Sequence, residues 1–203
     1  QPLPADGPSM SLIKISPETH GVCLDLAYAT SINFTGEPVY ARAGCYLHPD
    51  AENKLRKARE YADALGYRLK IFDAFRPAEA QWKLWSHTPD PDFLADPRRG
   101  SPHSRGVAVD LTLIDTDDAE IEMGTDFDSF TPLSYHGARA ISATAQRNRY
   151  LLMGIMTTAG WDFYQNEWWH YQLFNSRNYP LLSDSILDES MMTPTQSLEA
   201  NIR

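Results

Sequence analysis

Between positions 50 and 65, apolar side chains recur at helical spacing, with Ala51, Leu55, Ala58, Ala62 and Leu65 on one face. Asp50 reads as the N-cap and Gly66 as the C-terminal cap, which predicts a helix over 50–65. The string YRLKIFDAF (67–75) alternates, is rich in β formers and predicts a strand. Arg76 falls at its end. Pro77 is expected at the first position of a second helix, where its missing N–H does no harm, and that helix carries Trp82 and Trp85. GVAVDLTLI (106–114) is the clearest strand, and WWHYQLF (168–174) predicts the last one. A first strand region is expected in GVCLDLAYAT (21–30), followed by a turn at TGEP. A third helix is predicted over 143–158, with Gly160 beyond it. TPDPDFLADPRRG (88–100) reads as loop, and 115–132 as acidic and irregular. Strands and helices do not alternate regularly enough for a doubly wound parallel sheet. The expected class is α+β, a mostly antiparallel sheet with helices packed on it.

Composition narrows the picture further. At 203 residues the chain is expected to be one domain (1–203), with an N-terminal extension at 1–12 and a C-terminal tail at 181–203. It is 42% hydrophobic and 22% charged, ordinary for a globular core. No apolar run approaches the roughly 18–20 residues that span a bilayer. A net charge of −9 argues against a nucleic-acid partner, and no basic helix suits an anionic membrane surface. Cys23 and Cys45 are not in a CxxC pair, so a thiolate zinc site is not expected. One bridge in an oxidising compartment and two free thiols both stay open. The opening QPLPADGPSM is proline-rich and has no strand or helix period. It reads as the start of an exported mature chain, giving a periplasmic expectation. The alternatives are an added segment before a start at Met10 and a cytoplasmic location.

Candidate chemistry sits in two strings. In SPHSRGVAVDL, Asp110 interrupts an apolar strand, with Val107, Val109 and Leu111 on the opposite face. A carboxylate there is costly unless it is paired or bound to a metal, and both readings are open. His103 lies just before the strand, where the bend at Gly106 can fold it toward Asp110. In NEWWHYQ, Glu167 precedes His170 by three, which puts them on opposite faces of a regular strand. They can share a site only if Glu167 lies in the preceding turn or at a bulge. Trp168 reads as core or pocket wall. Two imidazoles, a carboxylate and a nearby glutamate make up a catalytic zinc set, with three ligands and a fourth position left for water. Imidazoles favour zinc over magnesium. His20, His48, His87 and His136 lack such a context and read as structural or surface groups.

SPHSRGVAVDLTL together with EWWHYQL resembles the zinc D-alanyl-D-alanine dipeptidases, which share a fold group with D,D-carboxypeptidases, phage endolysins and the hedgehog domain. The resemblance runs from about 21 to 180 and includes LAYATSINFTGEPVY, FDAFRP, MGTDFD and AQRNRYLL. It implies a hedgehog/D,D-peptidase-like fold with one Zn2+ on His103, Asp110 and His170. Glu167 is implied as general base and Arg76 as the group that stabilises the transition state. Tyr28, Ser101 and Asp128 are implied to bind a small dipeptide, Asp128 through its ammonium. From the residues alone, Arg76 equally reads as a strand-end arginine paired with Asp73. The stretch between Arg76 and Ser101 is shorter than in some vancomycin-resistance members, which bears on the pocket wall. Competing readings are a D,D-carboxypeptidase or endopeptidase acting on peptidoglycan peptides, and a non-catalytic zinc-binding module. Glu167 and Arg76 favour an enzyme, because a structural zinc site needs neither.

Overall fold

A computed structural model describes residues 10–194. Its elements are β1 (Ile13–Lys14), α1 (Pro17–His20), β2 (Cys23–Leu24), β3 (Tyr46–Leu47), α2 (Pro49–Ala64), β4 (Arg68–Asp73), α3 (Ala78–His87), β5 (Ala108–Ile114), α4 (Ala143–Thr158), β6 (Asp162–Tyr164) and β7 (Glu167–Gln172). The main sheet has the order β2-β4-β5-β7-β6, and β1 pairs with β3 apart from it. Every pairing in the main sheet is antiparallel except β2 with β4, which is parallel. The α+β expectation therefore holds, with a mixed rather than uniform sheet.

The helix and strand patterns become two faces of this sheet. Val107, Val109, Leu111 and Leu113 are fully buried in one core with Leu55, Ala58 and Ala62 of α2 and Leu152 and Met156 of α4. Asp110 and Thr112 turn to the opposite face, as the two-residue strand period requires. A second apolar cluster there contains Tyr28, Tyr40, Phe75 and Leu84. Leu182, Met191 and Met192 from the 181–194 segment also pack into it.

Several boundaries differ from expectation. The region 21–30 forms only the short β2 and then a 3-10 turn over Ala27–Ala29, which carries Tyr28. The N-cap of α2 is His48, whose Nδ1 accepts from the Asp50 N–H, and Asp50 lies inside the helix. Pro49 takes the first-turn position, since a proline sacrifices no bond there. Likewise Pro77 is the N-cap of α3 and not its first residue. Leu65 caps α2 and is 57% exposed, so it does not belong to the buried face. Cys23 and Cys45 are both free thiols. Helix α4 begins as predicted behind Ser142, whose Oγ accepts from the Ala145 N–H at 2.9 Å.

Buried Arg149 of α4 orders the irregular acidic segment. Its guanidinium donates to the carbonyls of Met123 (2.7 Å), Leu133 (2.7 Å) and Tyr135 (3.0 Å). Backbone without sheet or helix partners needs such donors to be satisfied. This clamp brackets the stretch that contains Asp128.

Candidate metal centre and active site

The site is built on β5 and β7, which pair Asp110 directly opposite His170. His103 reaches them from a 3-10 turn over His103–Arg105 that Gly106 closes at φ 72°. A side chain at Gly106 would strain that conformation and crowd Leu12 and the His48 backbone. His103 Nε2, His170 Nδ1 and Asp110 Oδ1 form a triangle whose three sides are each 3.2 Å. Four tetrahedral bonds of about 2.0–2.1 Å place neighbouring donors about 3.3–3.4 Å apart, so the triangle suits one zinc ion.

Each imidazole is fixed by the nitrogen facing away from the triangle. His103 Nδ1–H donates to the Ala74 carbonyl at 2.8 Å. His170 Nε2–H donates to Gln172 Oε1 at 2.9 Å. These bonds leave the inward nitrogens as lone-pair donors. Burial opposes ionisation of Asp110, yet the two imidazoles hold its carboxyl below the usual range. Gln172 was not singled out from the sequence. Its position two residues after His170 on the same strand face was the available signal.

Glu167 lies within β7 and not in the preceding turn. A bulge brings it to the site, because Tyr164 pairs with Glu167 while the adjacent Phe163 pairs with Tyr171. The extra residues on β7 break strict alternation, so Glu167 and His170 line one cavity. Burial, then the carboxylates of Asp110 and Asp128, push the Glu167 carboxyl well above its ordinary range, with Arg76 pulling the other way.

Arg76 is 4% exposed, so it is not a surface group. Nε binds Asp73 at 2.9 Å, Nη1 donates to Gln81 Oε1 at 2.8 Å, and Nη2 approaches Asp110 Oδ2 at 3.4 Å. It also sits over the Tyr28 ring, 5.1 Å from the centroid. The Asp73 pairing expected from the residues alone is present, and the same side chain borders the metal triangle. Tyr40 completes the support by donating to Asp73 Oδ1 at 2.7 Å.

On the far wall, Asp128 accepts from the Tyr28 hydroxyl. Its backbone is left-handed, with φ 59°. Burial and nearby Asp110 push its carboxyl up to about 8, against the opposing pull of Tyr28 and Arg76. Ser101 Oγ accepts from the His103 N–H at 3.1 Å, which ties Ser101 to the turn that carries His103. All eight residues singled out from the sequence line one cavity of about 190 Å³. Its walls also include Phe93 and Leu94 of the 88–100 loop, together with Tyr164 and Gln172. The other four histidines stand apart from it. His20 is buried against Glu52, His48 caps α2, His87 is exposed, and His136 is buried against Phe163.

Comparison with known proteins agrees with this geometry. The family model described as D-ala-D-ala dipeptidase matches residues 9–190. The D-alanyl-D-alanine dipeptidase of Escherichia coli (strain K12) is 43% identical over 161 residues, covering 79% of this chain and 83% of that protein. The enzyme of the same name from Enterococcus faecium is 38% identical over 178 residues, covering 76% and 87%. That of Enterococcus faecalis (strain ATCC 700802 / V583) is 35% identical over 177 residues, covering 77% and 88%. A match of this extent, on a chain whose buried His-Asp-His triangle has room for a metal, shows that the protein belongs to the D-Ala-D-Ala dipeptidase family of metallopeptidases.

Proposed function

We propose that the protein hydrolyses the free dipeptide D-Ala-D-Ala with one zinc ion held by His103, Asp110 and His170. The observation that carries this is the convergence of a donor triangle, a buried glutamate, a buried arginine and a facing aspartate on one small cavity. Zinc bound there supplies Lewis acidity to the attacking water and the scissile carbonyl. Glu167, on the wall of the same cavity, takes the proton of that water and delivers it to the leaving amine. Arg76 presents Nη2 beside Asp110 and stabilises negative charge developing on the carbonyl oxygen. Asp73 and Gln81 hold its other nitrogens, so the guanidinium needs no reorganisation during the reaction. Asp128, oriented by Tyr28, receives the substrate's ammonium, and Ser101 lies on the wall available to its carboxylate. A closed pocket must pair both charges of a dipeptide, or the cost of burying them prevents binding. The direct test is D-alanine release from D-Ala-D-Ala by zinc-loaded protein, abolished by chelation and restored by zinc. Absence of release from fully zinc-loaded protein would overturn the assignment.

A further inference from the structure

The 88–100 loop does not hang free over the cavity. Its residues 91–95 form a strap along the cavity and supply Pro91, Phe93, Leu94 and Ala95 to the wall. At one end, Gln81 Nε2 donates to the Ala95 carbonyl at 2.7 Å. At the other, a single carbonyl, that of Asp92, receives two donors, one from the end of β6 and one from the turn leading into β7. These are the Tyr164 hydroxyl at 2.7 Å and Asn166 Nδ2 at 3.1 Å. Asn166 Nδ2 also reaches the Tyr164 oxygen at 3.2 Å, which closes a three-membered clasp. Between the fastenings, Phe93 stacks on Phe130 with centroids 4.9 Å apart and planes 16° apart. Leu94 is 4% exposed. Surface loops are ordinarily among the more mobile parts of a fold, so several fastenings on so short a segment mark a wall that is kept in place.

Phe93 and Leu94 of the strap line the same small cavity as Asp128, the group proposed to receive the substrate's amine, so the strap limits the room around that amine. A volume of about 190 Å³ falls below the roughly 300–1,000 Å³ of pockets for drug-sized ligands. We propose that Tyr164 and Asn166 are specificity-determining residues: by fastening Asp92 they hold the strap shut and exclude substrates whose amine carries a bulky substituent. The proposal rests on the dipeptidase reading and adds a filter for size to the filter for charge at Asp128.

The two filters separate with N-benzyl-D-Ala-D-Ala, which keeps a positively charged amine but adds bulk. The zinc-loaded parent should strongly prefer the free dipeptide to this analogue. In the Tyr164→Phe/Asn166→Ala variant the ratio of kcat/KM values, free over benzylated, should fall by roughly tenfold or more, within the range that steric discrimination contributes. Amides of residues 93 and 94 should exchange faster in that variant. Asp128→Asn should instead weaken both substrates and leave the ratio near the parent's. If thermal melting shows the double variant unfolded, Phe93→Ala frees the strap at its centre, and the same fall in ratio is expected. An unchanged ratio in a folded variant whose strap amides exchange faster would overturn the proposal. So would a parent that cleaves both substrates equally. A parent that rejects the benzylated dipeptide but cleaves N-acetyl-D-Ala-D-Ala as well as the free one would overturn the charge reading at Asp128 and support the strap.

Discussion

Asp73 and Asp110 lie directly opposite one another across β4 and β5, brought into register by an irregularity between Ile71 and Asp73. Two facing carboxylates repel, and burial magnifies the effect. The Arg76 guanidinium lies against both, at 2.9 Å from Asp73 and 3.4 Å from Asp110. One side chain thus offsets part of the repulsion within the pair and carries a positive group to the edge of the metal triangle.

Arg76→Lys is expected to lose about 100-fold or more in kcat, the scale of a lost transition-state donor. A single ammonium cannot reach Asp73, Gln81 and Asp110 together as the planar fork does. Steady-state kinetics on folded, zinc-loaded variant checks this. Near-parent turnover would leave Arg76 with only its structural pairing to Asp73.

Metal binding should depend on the group behind His170 as well as on the ligands. Alanine at His103, Asp110 or His170 should abolish stoichiometric zinc measured by elemental analysis. Gln172→Leu removes the acceptor that fixes the His170 tautomer and should weaken zinc binding about 10–100-fold in a chelator competition. Parent-like affinity in Gln172→Leu would show that the His170 ring needs no such support.

Glu167→Ala should keep one zinc per chain and lose at least about 100-fold in turnover, a typical general-base contribution. Zinc content and kcat measured on the same preparation check both halves. Loss of the metal would make Glu167 a ligand, and retained activity would remove it from the reaction.

N-acetyl-D-Ala-D-Ala should be a poor substrate, because acetylation removes the positive charge that Asp128 is proposed to meet. The pocket would then hold an uncompensated carboxylate or keep it protonated, at a cost in binding either way. Asp128→Asn should weaken the free dipeptide far more than the acetylated one. Equal turnover of the two substrates by the parent would indicate an open, carboxypeptidase-like groove.

His136 gives the fold a sensitivity to acid. Burial first, and Arg149 next, lower its pKa to about 4 from a usual value of 6.5. The unfolded chain therefore binds the extra proton first, and stability falls as pH drops from about 6.5 to about 4. A shift of that size corresponds to about 3 kcal/mol across the window. Urea unfolding of parent and His136→Gln at pH 7 and pH 4 measures it. The variant should lose less stability on acidification, and identical losses would remove His136 as the cause.

Periodic segments were legible in the chain because one physical rule decides them. Ala51, Leu55, Ala58 and Ala62 recur at helical spacing and are all fully buried, and α4 spans the predicted 143–158. The strand alternation around Asp110 placed it on the face away from the core, where it is found. Boundaries were less legible, because caps depend on local competition. His48 displaced Asp50 as the N-cap of α2 when Pro49 took the first turn.

The sequence by itself offered His103, Asp110, Glu167 and His170 in two short strings, and through the family resemblance Arg76, Tyr28, Ser101 and Asp128, and all eight line one cavity. Only the tertiary structure decided how they meet. The β6–β7 bulge turns Glu167 to the same cavity as His170, a break in alternation that depends on how the partner strand pairs. Arg76 acquires Asp110 as a neighbour only through the β4–β5 irregularity. Gln172, Gln81 and the clasp on Asp92 are contacts between groups whose residue types alone predict nothing. Such contacts are set by register, burial and the need to satisfy each enclosed polar group, and those arise only when the strands pair and the loop closes over them.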